Sequence, residues 1–433
     1  PQWVDELFLL AGENPREHFS YRKLDPITNY FFGDGTTVKA WSDRQTFITE
    51  CQNRLGEAPE RIEAYLNESA RKYRITAPFF VEASLHRYTT YFNRKLPSAL
   101  VALPSLGIFQ TMNETHTRQF SNPKTVQLFN RYATYNGSDP YQAPATLTLI
   151  PHLEFNEGAY LPVGGMYQIT DSLYHLAMRL GVEFHFDQRV QEVKMNGNRV
   201  SGLIVNGNEL PASTVLSNAD VFTTYRTLLP NYRAPERILK QPRSSSALIF
   251  YWGINRIFPM LDVHNIVFSE DYLQEFKDIF GQNTAPYDPT IYINITSKRE
   301  QKDAPQGCEN WFVMINVPPN MGQNWDELIP RARGRIIDRL NKQFGIDLEA
   351  LIACEAVFEP RTIESLTGSW QGSLYGTSSN NRLAAFLRHA NRSSRIKGLY
   401  FCGGSVHPGG GIPLCLQSGK IAAQLIHEDQ RHS

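Results

Sequence analysis

Apolar and polar positions change period several times along this chain. From Leu414 to Ile426 the apolar residues recur at helical spacing, while Leu399-Tyr400-Phe401 just before is a short continuous apolar run that predicts a buried strand. Upstream, Tyr167 to Leu180 predicts a helix closed by Gly181, a residue suited to the left-handed C-cap. Val182 to Val193 reads as two short strands, and the hairpin Val193 to Val200 turns at Asn196-Gly197. A second hairpin signal, Asp34-Gly35, sits inside Phe31 to Val38. Ser246–Trp252 and Pro289–Ile295 alternate as strands do, and Trp325 to Phe344 predicts an amphipathic helix carrying Arg331, Arg333, Arg335, Arg339 and Lys342. Its basic face reads as solvated surface rather than membrane contact.

These signals interleave without a repeat or a low-complexity linker, which predicts an α/β fold with an α+β region wound into it. At 433 residues the chain is too long for one compact core. The segments 160–228 and 360–433 read as a cofactor-binding domain, and 1–159 with 229–359 as a substrate-binding, membrane-facing domain. Charge is balanced, 43 basic against 43 acidic residues, and no Lys/Arg run tracks phosphates, so no nucleic-acid partner is expected. Five cysteines are scattered without metal-ligand spacing, so no metal site is expected and the thiols read as reduced and buried in a cytoplasmic setting. Twelve per cent of residues are aromatic, which suits core packing and equally a tunnel for a long apolar ligand.

The chemistry concentrates near the C-terminus, where Gly398-Leu399-Tyr400-Phe401-Cys402-Gly403-Gly404 runs into Ser405-Val406-His407-Pro408-Gly409-Gly410-Gly411-Ile412-Pro413-Leu414. A strand breaks into a glycine-rich turn and a helix follows, so free N–H groups point back over the strand end and glycines let a ligand approach the backbone. A flat cofactor with a phosphate or polyol tail fits such a turn.

This segment closely resembles the C-terminal flavin motif of the bacterial-type phytoene desaturase family, the FAD-dependent carotenoid desaturases. Phe129-Asn130-Arg131-Tyr132-Ala133-Thr134-Tyr135-Asn136-Gly137-Ser138-Asp139-Pro140-Tyr141, and then Pro162-Val163-Gly164-Gly165-Met166, resemble the family's central block in the same order. The resemblance implies a glutathione-reductase-like FAD/NAD(P)-binding fold of the amine-oxidase/phytoene-desaturase type. It implies FAD held by Gly403, Gly404, Gly411, Ile412, Pro413 and Leu414, with the backbone near Val190 facing the adenine. Family members open with a G-x-G-x-x-G unit; none occurs here, so on the order of sixty residues of that βαβ unit are expected to precede Pro1.

The implied activity is oxidation of an acyclic polyene, phytoene or a hydroxycarotenoid, by hydride transfer to flavin. Implied with it are peripheral attachment to the inner face of the cytoplasmic membrane and oxygen or a quinone as electron acceptor. A flavin-free prenyl- or carotenoid-binding protein, a retinol-saturase-like reductase and a carotenoid oxygenase are the alternatives. His152 and Glu154 fall on one face if Pro151–Glu157 is a strand, where they either accept a proton beside the flavin or orient a loop as a buried polar pair. His407 reads as a base or as a structural hydrogen-bonding group. Arg131, Tyr132, Tyr135 and Tyr141 read as packing and turn structure, and Ile257-Phe258-Pro259-Met260-Leu261 as a candidate membrane contact.

Overall fold

The computed structural model describes residues 1–87, 106–381 and 387–431. A seven-stranded sheet organises the substrate side, in the order Ile352–Phe358, Ser246–Ile254, Glu309–Val317, Ile291–Asn294, His264–Val267, Thr28–Phe31 and Thr37–Ala40. Neighbours are antiparallel except His264–Val267 with Thr28–Phe31, where the N-terminal hairpin joins in parallel register. That hairpin turns at Asp34-Gly35 as the sequence predicts, with Gly35 at φ +87°.

Strict alternation in Glu309–Val317 sends its two residue sets to opposite faces. One set, with Leu248, Phe250, Trp252 and Ile293, packs under the helix Trp325–Phe344 through Trp325, Ile336 and Leu340. The polar side of that helix is taken up by acidic partners: Arg333 by Glu349 and Glu355, Arg339 and Lys342 by Glu270, and Arg331 by Glu327. The opposite face of the sheet, through Thr28, Ile266, Tyr292, Met314 and Asn316, is the floor of a large cavity.

On the other side of that cavity, Leu399–Phe401 pairs in parallel with Val215–Ser217, and Val190–Asn196, Arg199–Val205 and Asn208–Pro211 form an antiparallel three-stranded sheet. The helix Tyr167–Arg179 ends as expected, with Gly181 at φ +85°. Only one of the two strands expected between Val182 and Val193 forms, Val190–Asn196. No strand pairs with Val182–Asp187 among the described residues, so their backbone has no ladder to join and Val182, Phe184 and Phe186 stay exposed.

The segment Pro151–Glu157 is not a strand either. Ile150–His152 is helical and Leu153–Glu157 continues as one wide helical turn that Gly158 ends. The proposed membrane loop is divided as well: Phe258 and Leu261 are buried, and Ile257 and Met260 are exposed.

Candidate flavin cradle and substrate cavity

The Leu399–Phe401 strand ends where the Cys402 N–H reaches the carbonyl of Ser217 at 3.0 Å, and Gly403 then turns with φ +98°. Two fully buried polar side chains hold this turn against the following helix. Ser418 Oγ accepts from the Gly403 N–H at 3.1 Å and donates to the His407 carbonyl at 2.9 Å, and the Asn391 amide donates to the same carbonyl at 2.8 Å. Both residues escaped the sequence reading, because Ser and Asn in such positions carry no local pattern until the fold brings the three segments together.

The helix Ile412–Arg431 begins directly after Gly411, whose carbonyl accepts from the Cys415 N–H at 2.9 Å. Pro413, which has no N–H to lose, stands in the first turn, where the remaining N–H groups lack helical partners. Gly411 (φ +98°) has open space where a Cβ would stand, whereas a Cβ on Gly410 would lie 2.7 Å from the Tyr375 ring. Gly410, Gly411, Pro413 and Leu414 border the cavity; Gly403, Gly404 and Ile412 do not line it, Ile412 being exposed, and Val190 opens a strand outside it. A backbone cradle without side chains at a helix start, open to an apolar cavity, fits an isoalloxazine ring.

Arg388 adds charge to the cradle. It is buried at 3% exposure, and its guanidinium donates to the carbonyls of Tyr375 (3.0 Å), Thr377 (3.0 Å) and Gly404 (3.3 Å). No carboxylate pairs with it among the described residues, and burial lowers its pKa to about 10. The two histidines nearby are held neutral. His389 donates from Nδ1 to the Ala390 carbonyl (2.7 Å), so its Nε2 accepts from the Tyr225 hydroxyl (3.0 Å). His407 donates from Nε2 to the Ala83 carbonyl (2.9 Å), and burial lowers both imidazoles to about 4. The Nε2 of His407 thus makes a structural bond.

The cavity, about 690 Å³, runs from this cradle to the seven-stranded sheet and is walled mainly by aliphatic and aromatic side chains such as Ile108, Leu147, Leu149, Ile150 and Leu153. Because Pro151–Glu157 is helical, His152 and Glu154 point apart instead of sharing a face. His152 does not border the cavity; it stacks near Tyr73 (4.7 Å), its Nδ1 accepts from Asn156 at 2.9 Å, and burial lowers its pKa. Glu154 does border it, in a network the sequence reading assigned to packing. Tyr135 donates to Glu154 Oε2 at 3.0 Å, and Arg131 reaches the same oxygen at 3.4 Å and the Tyr30 hydroxyl at 2.7 Å. Next to them His264 Nδ1 lies 2.7 Å from the Tyr292 hydroxyl, and its pKa falls to about 4 on burial. No group of three or more metal-ligating side chains converges among the described residues.

Comparison with known proteins accounts for this arrangement. The family model for flavin containing amine oxidoreductases matches residues 5–247. The 1-hydroxycarotenoid 3,4-desaturase of Flavobacterium sp. (strain P99-3) is 48% identical over 98% of this chain and 87% of its own length. The phytoene desaturase of Fusarium fujikuroi is 28% identical over 99% of this chain and 79% of its own, and the 4,4'-diapolycopene oxygenase of Methylomonas sp is 30% identical over 99% and 87%. Among solved structures, cyclohexylamine oxidase from Brevibacterium oxydans IH-35A superposes with a TM-score of 0.59 at 12% identity, covering 99% of this chain and 85% of that one, a likeness of fold alone. The chain belongs to the flavin-containing amine oxidoreductase family, on its carotenoid desaturase branch, and is an FAD-dependent oxidoreductase.

Proposed function

We propose that the protein desaturates an acyclic carotenoid, and that the carotenoid carries a hydroxylated end group. One observation carries the reading: an apolar cavity connects the glycine cradle to the sheet floor, as a long polyene lying against a flavin requires. The relative at 48% identity, which bears the name of a hydroxycarotenoid desaturase, supports the choice of end group.

FAD held by the Gly403–Gly404 turn and the Gly411–Leu414 helix start supplies the hydride acceptor. The chain's own contribution is placement. Its apolar walls exclude water and align an allylic C–H bond, which converts an encounter into an oriented, near-attack geometry. Arg388 and the helix N-terminus keep the cradle electropositive. Glu154, which borders the cavity, holds the Tyr135 hydroxyl and the Arg131 guanidinium in its wall. Peripheral attachment to the inner face of the cytoplasmic membrane follows from the insolubility of such a substrate, and oxygen or a quinone is the acceptor; no helix among the described residues is long and apolar enough to cross a membrane.

The test is anaerobic incubation of the holoenzyme with liposomes carrying an acyclic 1-hydroxycarotenoid, read in the visible region. Bleaching of the flavin band together with absorption shifted to longer wavelength is the expected result. A flavin band that stays unbleached, with an unshifted polyene spectrum, would refute the reading.

A further inference from the structure

Resting on that reading, we propose that Arg131 and Tyr135, anchored by Glu154, form a subsite that binds the hydroxyl of the carotenoid end group and selects hydroxylated over hydrocarbon substrates. An all-hydrocarbon ligand gives no reason to build a buried ion pair into the wall of an apolar cavity. Arg131 and Glu154 are 6% and 7% exposed and both border the cavity, so a charged pair stands in an otherwise apolar wall.

Tyr135 supplies the contact surface. Protein surrounds it, and burial raises its pKa to about 12, yet 43% of the side chain remains accessible, so that surface is cavity wall. Its hydroxyl proton is committed to Glu154 and its oxygen lies 3.2 Å from Arg131 Nη1, which fixes the phenol and leaves an oxygen lone pair toward the ligand.

The position relative to the cradle agrees with the chemistry. Tyr135 and Arg131 lie on one short helical segment, Arg131–Asn136, which ends at Gly137. The Tyr375 ring is wedged between Gly137 and Gly410: a Cβ on either glycine would stand 2.9 Å or 2.7 Å from it. One aromatic ring therefore separates the end of the polar segment from the flavin cradle. A hydroxyl anchored there holds the carbons three and four bonds from its oxygen, the pair to be desaturated, close to the ring that accepts hydride. A site that pairs with a substrate hydroxyl discriminates strongly against the analogue lacking it, because its own polar groups are then left unpaired.

The test compares kcat/KM for an acyclic 1-hydroxycarotenoid and for the same polyene without the hydroxyl, using the wild-type holoenzyme, Tyr135→Phe and Arg131→Lys. Tyr135→Phe removes one oxygen, and Arg131→Lys keeps the charge opposite Glu154 while losing the fork that holds the Tyr135 and Tyr30 hydroxyls. The wild type is expected to prefer the hydroxylated polyene by at least about 100-fold. Each variant should lose roughly 5- to 100-fold of that preference, through the hydroxylated substrate alone, with its flavin spectrum and thermal midpoint retained. Equal turnover of both polyenes by the wild type, or variants that lower both rates in proportion, would overturn the subsite and leave the desaturase reading standing. Turnover of neither polyene would instead remove the reading on which the subsite rests.

Discussion

At the scale of single residues, the three glycines before the last helix are not equivalent. Gly410 lacks a Cβ because Tyr375 occupies the place: an added methyl would lie 2.7 Å from the ring and 3.0 Å from its Cα. Gly411 meets nothing within 4 Å, and its cost on substitution comes from φ +98°, which a side chain adopts only with strain. Gly410→Ala should therefore displace Tyr375, destabilise the fold by about 1–3 kcal/mol and release flavin. Gly411→Ala should cost about 1–2 kcal/mol through the backbone and place a methyl where the cofactor ring approaches. Thermal midpoints with and without added FAD separate the two. The Gly411 variant should gain less from FAD than the wild type, whereas the Gly410 variant should be weakened in both states; identical behaviour of the two variants would refute the distinction.

At the scale of elements, the helix Trp325–Phe344 shows which of its many contacts matter. Its charged face is dense with ion pairs, but Glu327 and Arg331 are 50% and 60% exposed, and such pairs contribute little. Its apolar stripe is closed against the sheet, with Ile336 fully buried. Ile336→Ala should cost about 2–5 kcal/mol in denaturant unfolding, and Glu327→Gln less than about 0.5 kcal/mol; the reverse ranking would show that the charged face carries the helix. This helix was legible in the sequence because its period is long and sustained, as were the Asp34-Gly35 hairpin and the Gly181 cap. Pro151–Glu157 misled because polar His152 and Glu154 alternate with apolar Leu153 and Phe155, whereas in the helical turn Leu153 and Glu154 both border the cavity, Phe155 enters the core and His152 packs beside Tyr73. The Arg131–Glu154 network was invisible for a different reason. Its members are 23 residues apart in the chain and meet only because the helical turn at Glu154 packs over the segment holding Arg131.

At the scale of the molecule, joining two halves around one apolar cavity buries imidazoles as well as hydrocarbon, and that sets the response to acid. His116, His264, His389 and His407 are each lowered from 6.5 to about 4, chiefly by burial. His116 shows why: its Nδ1 donates to Asn130 at 2.7 Å and its Nε2 accepts from Tyr65 at 2.9 Å, a pattern only the neutral ring satisfies. A group whose folded pKa is depressed binds its proton in the unfolded chain first, so these four contribute stability above pH 6.5 that is lost as pH falls toward 4. Glu275 acts in the opposite sense. Burial raises its carboxyl from 4.5 to about 7, so it favours the folded state below 4.5 and that contribution fades as pH rises through 7. Between 4.5 and 6.5 four of these five groups oppose the fifth, a difference of about three protons and a contribution to the slope of about 4 kcal/mol per pH unit. A domain stable by 5–15 kcal/mol is exhausted by such a slope within a few pH units. Denaturant midpoints taken from pH 7.5 to pH 5 should fall steeply below 6.5, and His116→Gln should flatten the fall by about one proton. Midpoints unchanged across that range would mean that these imidazoles reach water in the native protein.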